Sequence, residues 1–198
     1  MKSLWRRRPE GSPVQLHQAI FAGLLVTFLT NTLSAQDPTL CSTAELPTSV
    51  QAELKGKFSS WRVQDVANLA AMTKERWRAE KPLTCPGIAV GKFESVNATS
   101  YAVLIVPALD TDSAYKLLVF TPKVPNSIKV LEEWNKGGAS HYFIHELEIN
   151  KVLSSGWIKK LDIKTTEGFV SVDAAESEYG VDVYFWADSQ YRHKWIDY

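Results

Sequence analysis

The densest run of side chains able to do chemistry is His141-Tyr142-Phe143-Ile144-His145-Glu146-Leu147-Glu148. Wound as a helix, it sets His141 and His145 about 6 Å apart on one face, where they could share a metal ion with Glu148. Drawn out as a strand, the two histidines stand about 13 Å apart, too far for one ion. Composition decides between these: the run follows Gly137-Gly138 and is dense in Tyr, Phe and Ile. The expectation is a strand, no metal site and no cofactor. Asp110-Thr111-Asp112-Ser113 looks like the opening of a calcium loop but lacks the glycine and the distal bidentate glutamate. It is read as a solvated hairpin loop.

Support for catalysis is thin. There is no G-x-S-x-G elbow and no phosphate-binding glycine loop. His141, His145 and His193 have no evident nucleophile beside them. Acid pairs such as Glu132-Glu133 and Glu146/Glu148 leave open an envelope hydrolase using paired carboxylates, which would need a cleft with two carboxyl groups about 5 to 9.5 Å apart. The reading leans away from an enzyme and assigns no catalytic residue.

The more distinctive signal is at the C-terminus. A two-residue turn at Asp188-Ser189 would pair Trp186 with Tyr191, Tyr184 with His193 and Asp182 with Trp195. One face of the ribbon then carries Tyr184, Trp186, Tyr191, His193 and Trp195, a strip of amphipathic rings suited to a glycan or a partner protein. The competing reading makes those rings the core beneath the helices. Arg192 and Lys194 fall on the opposite face, which favours the core reading.

These residues need a scaffold, and the period of the apolar positions describes one. Leu46-Pro47-Thr48-Ser49 looks like a helix start leading into Val50–Leu54, with Gly56 near the stop. After a short extended piece, Trp61-Arg62-Val63, Asp65 is placed to cap a second helix. Val66, Leu69, Ala70, Thr73 and Trp77 share one face of it, and Pro82 ends it. From Gly87 the pattern changes to short β-branched and aromatic runs, 88–93, 101–106, 115–120, 128–131, 142–149, 157–163, 169–172, 181–186 and 191–196. Short glycine- and aspartate-containing connectors favour hairpins over crossovers. The expected class is α+β: N-terminal helices packed on one face of a mainly antiparallel β-sheet, with Trp77 as their main anchor.

Composition narrows the setting. The 198 residues balance 22 Lys and Arg against 22 Asp and Glu. Lys2, Arg6, Arg7 and Arg8 lie with Glu10 in the first 35 residues, so residues 36–198 are mildly acidic. No clustered basic face offers itself to nucleic acid. The basic start is followed by the apolar stretch 19–29 and then Leu33-Ser34-Ala35-Gln36. That stretch is shorter than the roughly 20 residues a membrane span needs, but it suits a signal-peptide core. The expected organisation is a signal peptide at 1–35, a single exported domain at 36–198, and no stable span after cleavage. Cys41 and Cys85 are the only cysteines. In an oxidising compartment they are expected to pair, closing a loop worth about 4 kcal/mol in the chain-entropy model.

Cys85-Pro86-Gly87-Ile88-Ala89-Val90-Gly91-Lys92-Phe93, followed by Ser100-Tyr101-Ala102-Val103-Leu104-Ile105, resembles small exported bacterial proteins of uncharacterised function. In these, a degenerate FG-GAP-like strand-turn-strand unit follows a helical segment. The closing 184–192 segment is similar to the tyrosine/tryptophan hairpin that ends such proteins. The likeness covers 46–198 and implies no activity. The turn 94–99 carries one acid, so it implies no calcium site either. Residues and resemblance together lead to a non-enzymatic, secreted or periplasmic domain that binds a cell-envelope protein or glycan.

Overall fold

A computed structural model describes residues 41–80, 84–121, 128–148, 167–173 and 180–197, the stretch 167–173 through its backbone. The chain divides into the units Met1–Ala35 and Gln36–Tyr198, and all described residues belong to the second. They form mainly antiparallel sheets with few helices.

Helix α1 (Thr48–Lys57) follows Pro47 and turns Val50 and Leu54, four residues apart, to the interior together with Leu46. The Gln51 amide donates to the Leu46 carbonyl at 2.7 Å and holds the helix entry. Strand β1 (Trp61–Val63) comes next. The continuous helix expected from Asp65 onward does not form. Asp65 accepts from the Ala67 N–H at 3.1 Å, but it caps only a 3-10 turn, Val66–Asn68. Leu69 is extended (φ −72°, ψ 139°), and α2 (Ala71–Glu80) starts afresh beyond it. The break frees the Ala70 N–H to donate to the Ser140 carbonyl at 3.0 Å, a tertiary bond that a continuous helix would forbid. Val66, Leu69, Thr73 and Trp77 are buried all the same.

Strands β2 (Ile88–Ser95), β3 (Ala98–Pro107), β4 (Tyr115–Phe120) and β5 (Ile128–Trp134) make the first sheet with β1. Here β1 and β2 lie end to end along one edge of β3, with β4 and then β5 on the other side. Strands β6 (Tyr142–Glu148), β7 (Glu167–Asp173), β8 (Gly180–Ala187) and β9 (Gln190–Asp197) form a second sheet in that order. The strand expected at 157–163 and the stop at Pro82 lie outside the described residues.

Among the described residues there are thus two sheets where one was expected, and the helices do not share a face. Val103, Ile105, Leu118 and Phe120 pack with Leu46, Val50 and Leu54 of the α1 region. On the other face of the same strands, Leu104, Val106, Leu117 and Val119 meet Ile144 and Tyr184 of the second sheet. The far side of that sheet, with Phe143, Val181, Val183 and Phe185, is covered by Val66, Leu69 and Trp77. The reason is written in 103–106 and 117–120: these runs are apolar at every position, so both faces need a cover, and one layer of helices supplies only one.

Residues 85–87 join the layers. The Pro86 carbonyl accepts from the Ile144 N–H at 2.8 Å, and the Gly87 carbonyl accepts from the Leu104 N–H at 2.9 Å. A Cβ on Gly87 would sit 2.5 Å from the Gln64 carbonyl oxygen, so only glycine fits the junction. Gln64 is itself fully buried and donates to the Ala139 carbonyl at 2.8 Å. Cys41 and Cys85 stand at bonding distance, with Cα atoms 4.8 Å apart, and tie the chain before α1 to this junction.

Candidate functional site

The β8–β9 ribbon turns at Asp188 (φ 50°) and Ser189 (φ 62°), two left-handed residues whose twist suits a tight hairpin. This turn sets the anticipated register: Trp186 opposite Tyr191, Tyr184 opposite His193, Asp182 opposite Trp195. The rings therefore do share one face. Tyr184 and His193 stack with centroids 5.7 Å apart, and Trp186 meets Tyr191 edge-on at 5.0 Å.

Their surroundings are graded. Tyr184 is 3% exposed and belongs to the core between the sheets. Trp186 and Tyr191 are half-buried, His193 is exposed, and Trp195 is 44% exposed. Neither simple alternative from the sequence describes this. The helix-covered face of β8 is the one with Val181, Val183 and Phe185, while the ring face meets the other sheet through Tyr184 and Tyr191 and solvent at His193 and Trp195. Arg192 and Lys194 are exposed, yet their cross-strand partners Phe185 and Val183 are buried, because β9 lies at the sheet edge and β8 does not.

Strand β5 supplies the polar partners of the rings. Glu132 accepts from the Tyr115 hydroxyl at 2.6 Å through Oε1 and from the Tyr184 hydroxyl through Oε2. Burial, reinforced by the bonded carboxylate, pushes both phenols far above the ordinary tyrosine range. Tyr191 is raised in the same direction, first by burial and then by the charge of Glu94. Lys129 lies 4.1 Å from the Trp186 ring centroid and 5.3 Å from that of Tyr191, and ion-pairs with Glu94 at 3.3 Å. At the open end, His193 Nδ1 is 3.5 Å from Asp182 Oδ1.

Sequence reasoning named the five rings but did not join to them Glu94, Lys129 or Glu132, the last noted only in an acid pair; these reach the ribbon across 52 or more positions of sequence. Only the irregular register of β5 against β4 near Leu117 and Leu118 brings both Lys129 and Glu132 to the inner face. Glu133 lies on the other face and pairs with Lys116. Adjacent strand residues point apart, so Glu132-Glu133 is not a two-carboxylate site. Glu146 is exposed, and the Glu148 side chain lies outside those described.

The histidine segment is a strand. His141 ends a short turn, and His145 sits on β6 beside Phe143. No group of three metal-ligating side chains occurs among the described residues. Asp110–Ser113 is more than a solvated loop. Asp112 Oδ1 accepts from the Ser140 N–H at 2.7 Å, and the Ser113 carbonyl accepts from Gly137 at 2.9 Å, so this turn clamps the connection into β6. That backbone hydrogen bond from Ser140 holds the Asp112 carboxyl below the usual carboxylate range. The segment behind the FG-GAP-like resemblance is a β2–β3 hairpin, with Ser95 opposite Ala98.

No protein family, no curated protein and no solved structure matches the chain.

Proposed function

We propose that residues 36–198 work outside the cytoplasm, after removal of 1–35, as a non-enzymatic domain that binds a cell-envelope protein or glycan. The contact surface in this reading is the more exposed part of the ring face of the β8–β9 ribbon: Trp186, Tyr191, His193 and Trp195. The observation that carries it is Trp195, a large ring 44% exposed on an edge strand whose ring row is anchored by buried Tyr184 on the neighbouring strand β8. An indole held on a rigid ribbon loses little conformational entropy on binding, and its flat face suits either a sugar ring or an apolar side chain. The adjacent Asp182 and His193 supply polar contacts. Export is supported by the basic-then-apolar start of the chain and by the cysteine pair, which suits an oxidising compartment. Within this reading the FG-GAP-like unit is a structural hairpin with no calcium role.

Two experiments test the proposal. Cell fractionation with N-terminal sequencing should recover a protein beginning at Gln36 outside the cytoplasm; an intact cytoplasmic chain refutes export. Pull-down from envelope extract and a glycan array should yield a partner whose capture drops by about tenfold in Trp195→Ala, the loss typical of an aromatic anchor. Equal capture by both proteins sinks the ribbon as the contact surface.

A further inference from the structure

A second site lies on the hairpin that joins β2 to β3. Of the six asparagines in the chain, only Asn97 is followed two positions on by a hydroxyl residue, in Asn97-Ala98-Thr99. Asn-x-Thr with no proline in the middle is the spacing at which exported proteins accept a glycan on the asparagine amide. Val96 and Asn97 form the tip of a two-residue turn closed by the Ser95–Ala98 pair.

The fold presents both reactive side chains outward. Asn97 and Thr99 are exposed while Ala98 between them is buried, the alternation that the two-residue period of a strand imposes. The Asn97 backbone N–H donates to Ser95 Oγ at 3.3 Å, so the turn is held without the Asn97 side chain. Among the described residues neither the Asn97 amide nor the Thr99 hydroxyl has a hydrogen-bond partner. By contrast Asn68 is half-buried and its Oδ1 accepts from Arg62, which makes it part of the structure.

We propose that Asn97 is N-glycosylated in the compartment to which residues 36–198 are exported, the donor being an oligosaccharide joined to a lipid through pyrophosphate. Asn97 Nδ2 bonds to C1 of the first sugar, the bond from C1 to the pyrophosphate oxygen breaks, the lipid pyrophosphate leaves, and the amide gives up one proton to a base of the transferase. At a turn tip the glycan displaces no packed layer, and it covers Val96, whose side chain is 67% exposed. The inference rests on the export proposed above and is independent of the ring face of β8–β9.

The test is mass spectrometry of the full chain expressed in its own cells and purified from them, on the intact protein and on the tryptic peptide 93–116, which contains Asn97. One oligosaccharide is expected on that peptide, attached at Asn97, and amidase release should leave aspartate at position 97. The added mass should vanish in Asn97→Gln and in Thr99→Ala and persist in Thr99→Ser, which keeps the hydroxyl; all three changes are at exposed side chains, and near-ultraviolet circular dichroism checks that each variant is folded. A processed, exported chain with an unmodified Asn97 overturns this inference and leaves export standing, whereas an intact cytoplasmic chain overturns both. Sugar found on a lysine of the peptide, or carried equally by Asn97→Gln, also overturns it.

Discussion

Strands β3 and β9 are both extended and antiparallel, and both are rich in β-branched or aromatic residues, yet they live in different surroundings. Strand β3 has hydrogen-bonded neighbours on both edges and packed layers on both faces, and Ala102 to Val106 are at most 1% exposed. Among the described residues strand β9 pairs only with β8, and Arg192 through Trp195 are all exposed. Rank in the sheet, more than local composition, decides whether a ring is core or surface. The ribbon shows this within a single row of side chains, where Tyr184 on β8 is sealed and Trp195 on β9 is open.

The largest effect is expected at the centre. Leu104→Ala should cost about 2 to 5 kcal/mol in a denaturant midpoint, because a fully buried site between two sheets cannot collapse around the cavity; a loss near zero would break the contrast with β9. Next comes Tyr184→Phe, which removes a hydroxyl from Glu132 while keeping the ring. It should cost about 1 to 3 kcal/mol in the same assay, since a half-buried carboxylate oxygen loses its donor.

A smaller effect is expected at Asp112. Its carboxyl is held below the usual range in the folded state. The folded form therefore binds fewer protons there than the unfolded chain, and the carboxylate contributes stability above the ordinary carboxylate pKa that is lost as pH falls through the lowered folded value. Asp112→Asn should flatten the acid limb of a stability profile below about pH 4, by less than about 1 kcal/mol because the group is largely exposed. The smallest stability change belongs to Trp195→Ala, which should stay within about 0.5 kcal/mol while abolishing most partner capture. A large loss of stability there would instead make Trp195 a structural residue and sharpen the boundary between sealed and open rings.

Much of the fold was legible because it rests on local rules. Alternation and β-branched composition located eight of the nine strands among the described residues to within a few residues, and the strand at 61–63 was seen as an extended piece. The ribbon register followed from one turn, since a two-residue loop leaves a single pairing. Less visible were the break at Leu69, which leaves Ala70 to bond Ser140, and the clamp from Asp112 to Ser140, because in each the partner lies far along the chain. Glu132 was noticed only as one of a common acid pair. Its tyrosine partners come from β4 and β8, and no sequence spacing records that convergence.

The amino-acid sequence by itself determined the antiparallel class, the pairing of Cys41 with Cys85 and the sharing of one ribbon face by five rings, all consequences of short-range geometry or of having only two cysteines. Tertiary structure alone decided that there are two sheets, that α1 and α2 cover different ones, and that the ring row runs from sealed to open. The physical reason is that burial depends on which layer arrives at a face, and that is a property of the packed molecule rather than of any single segment.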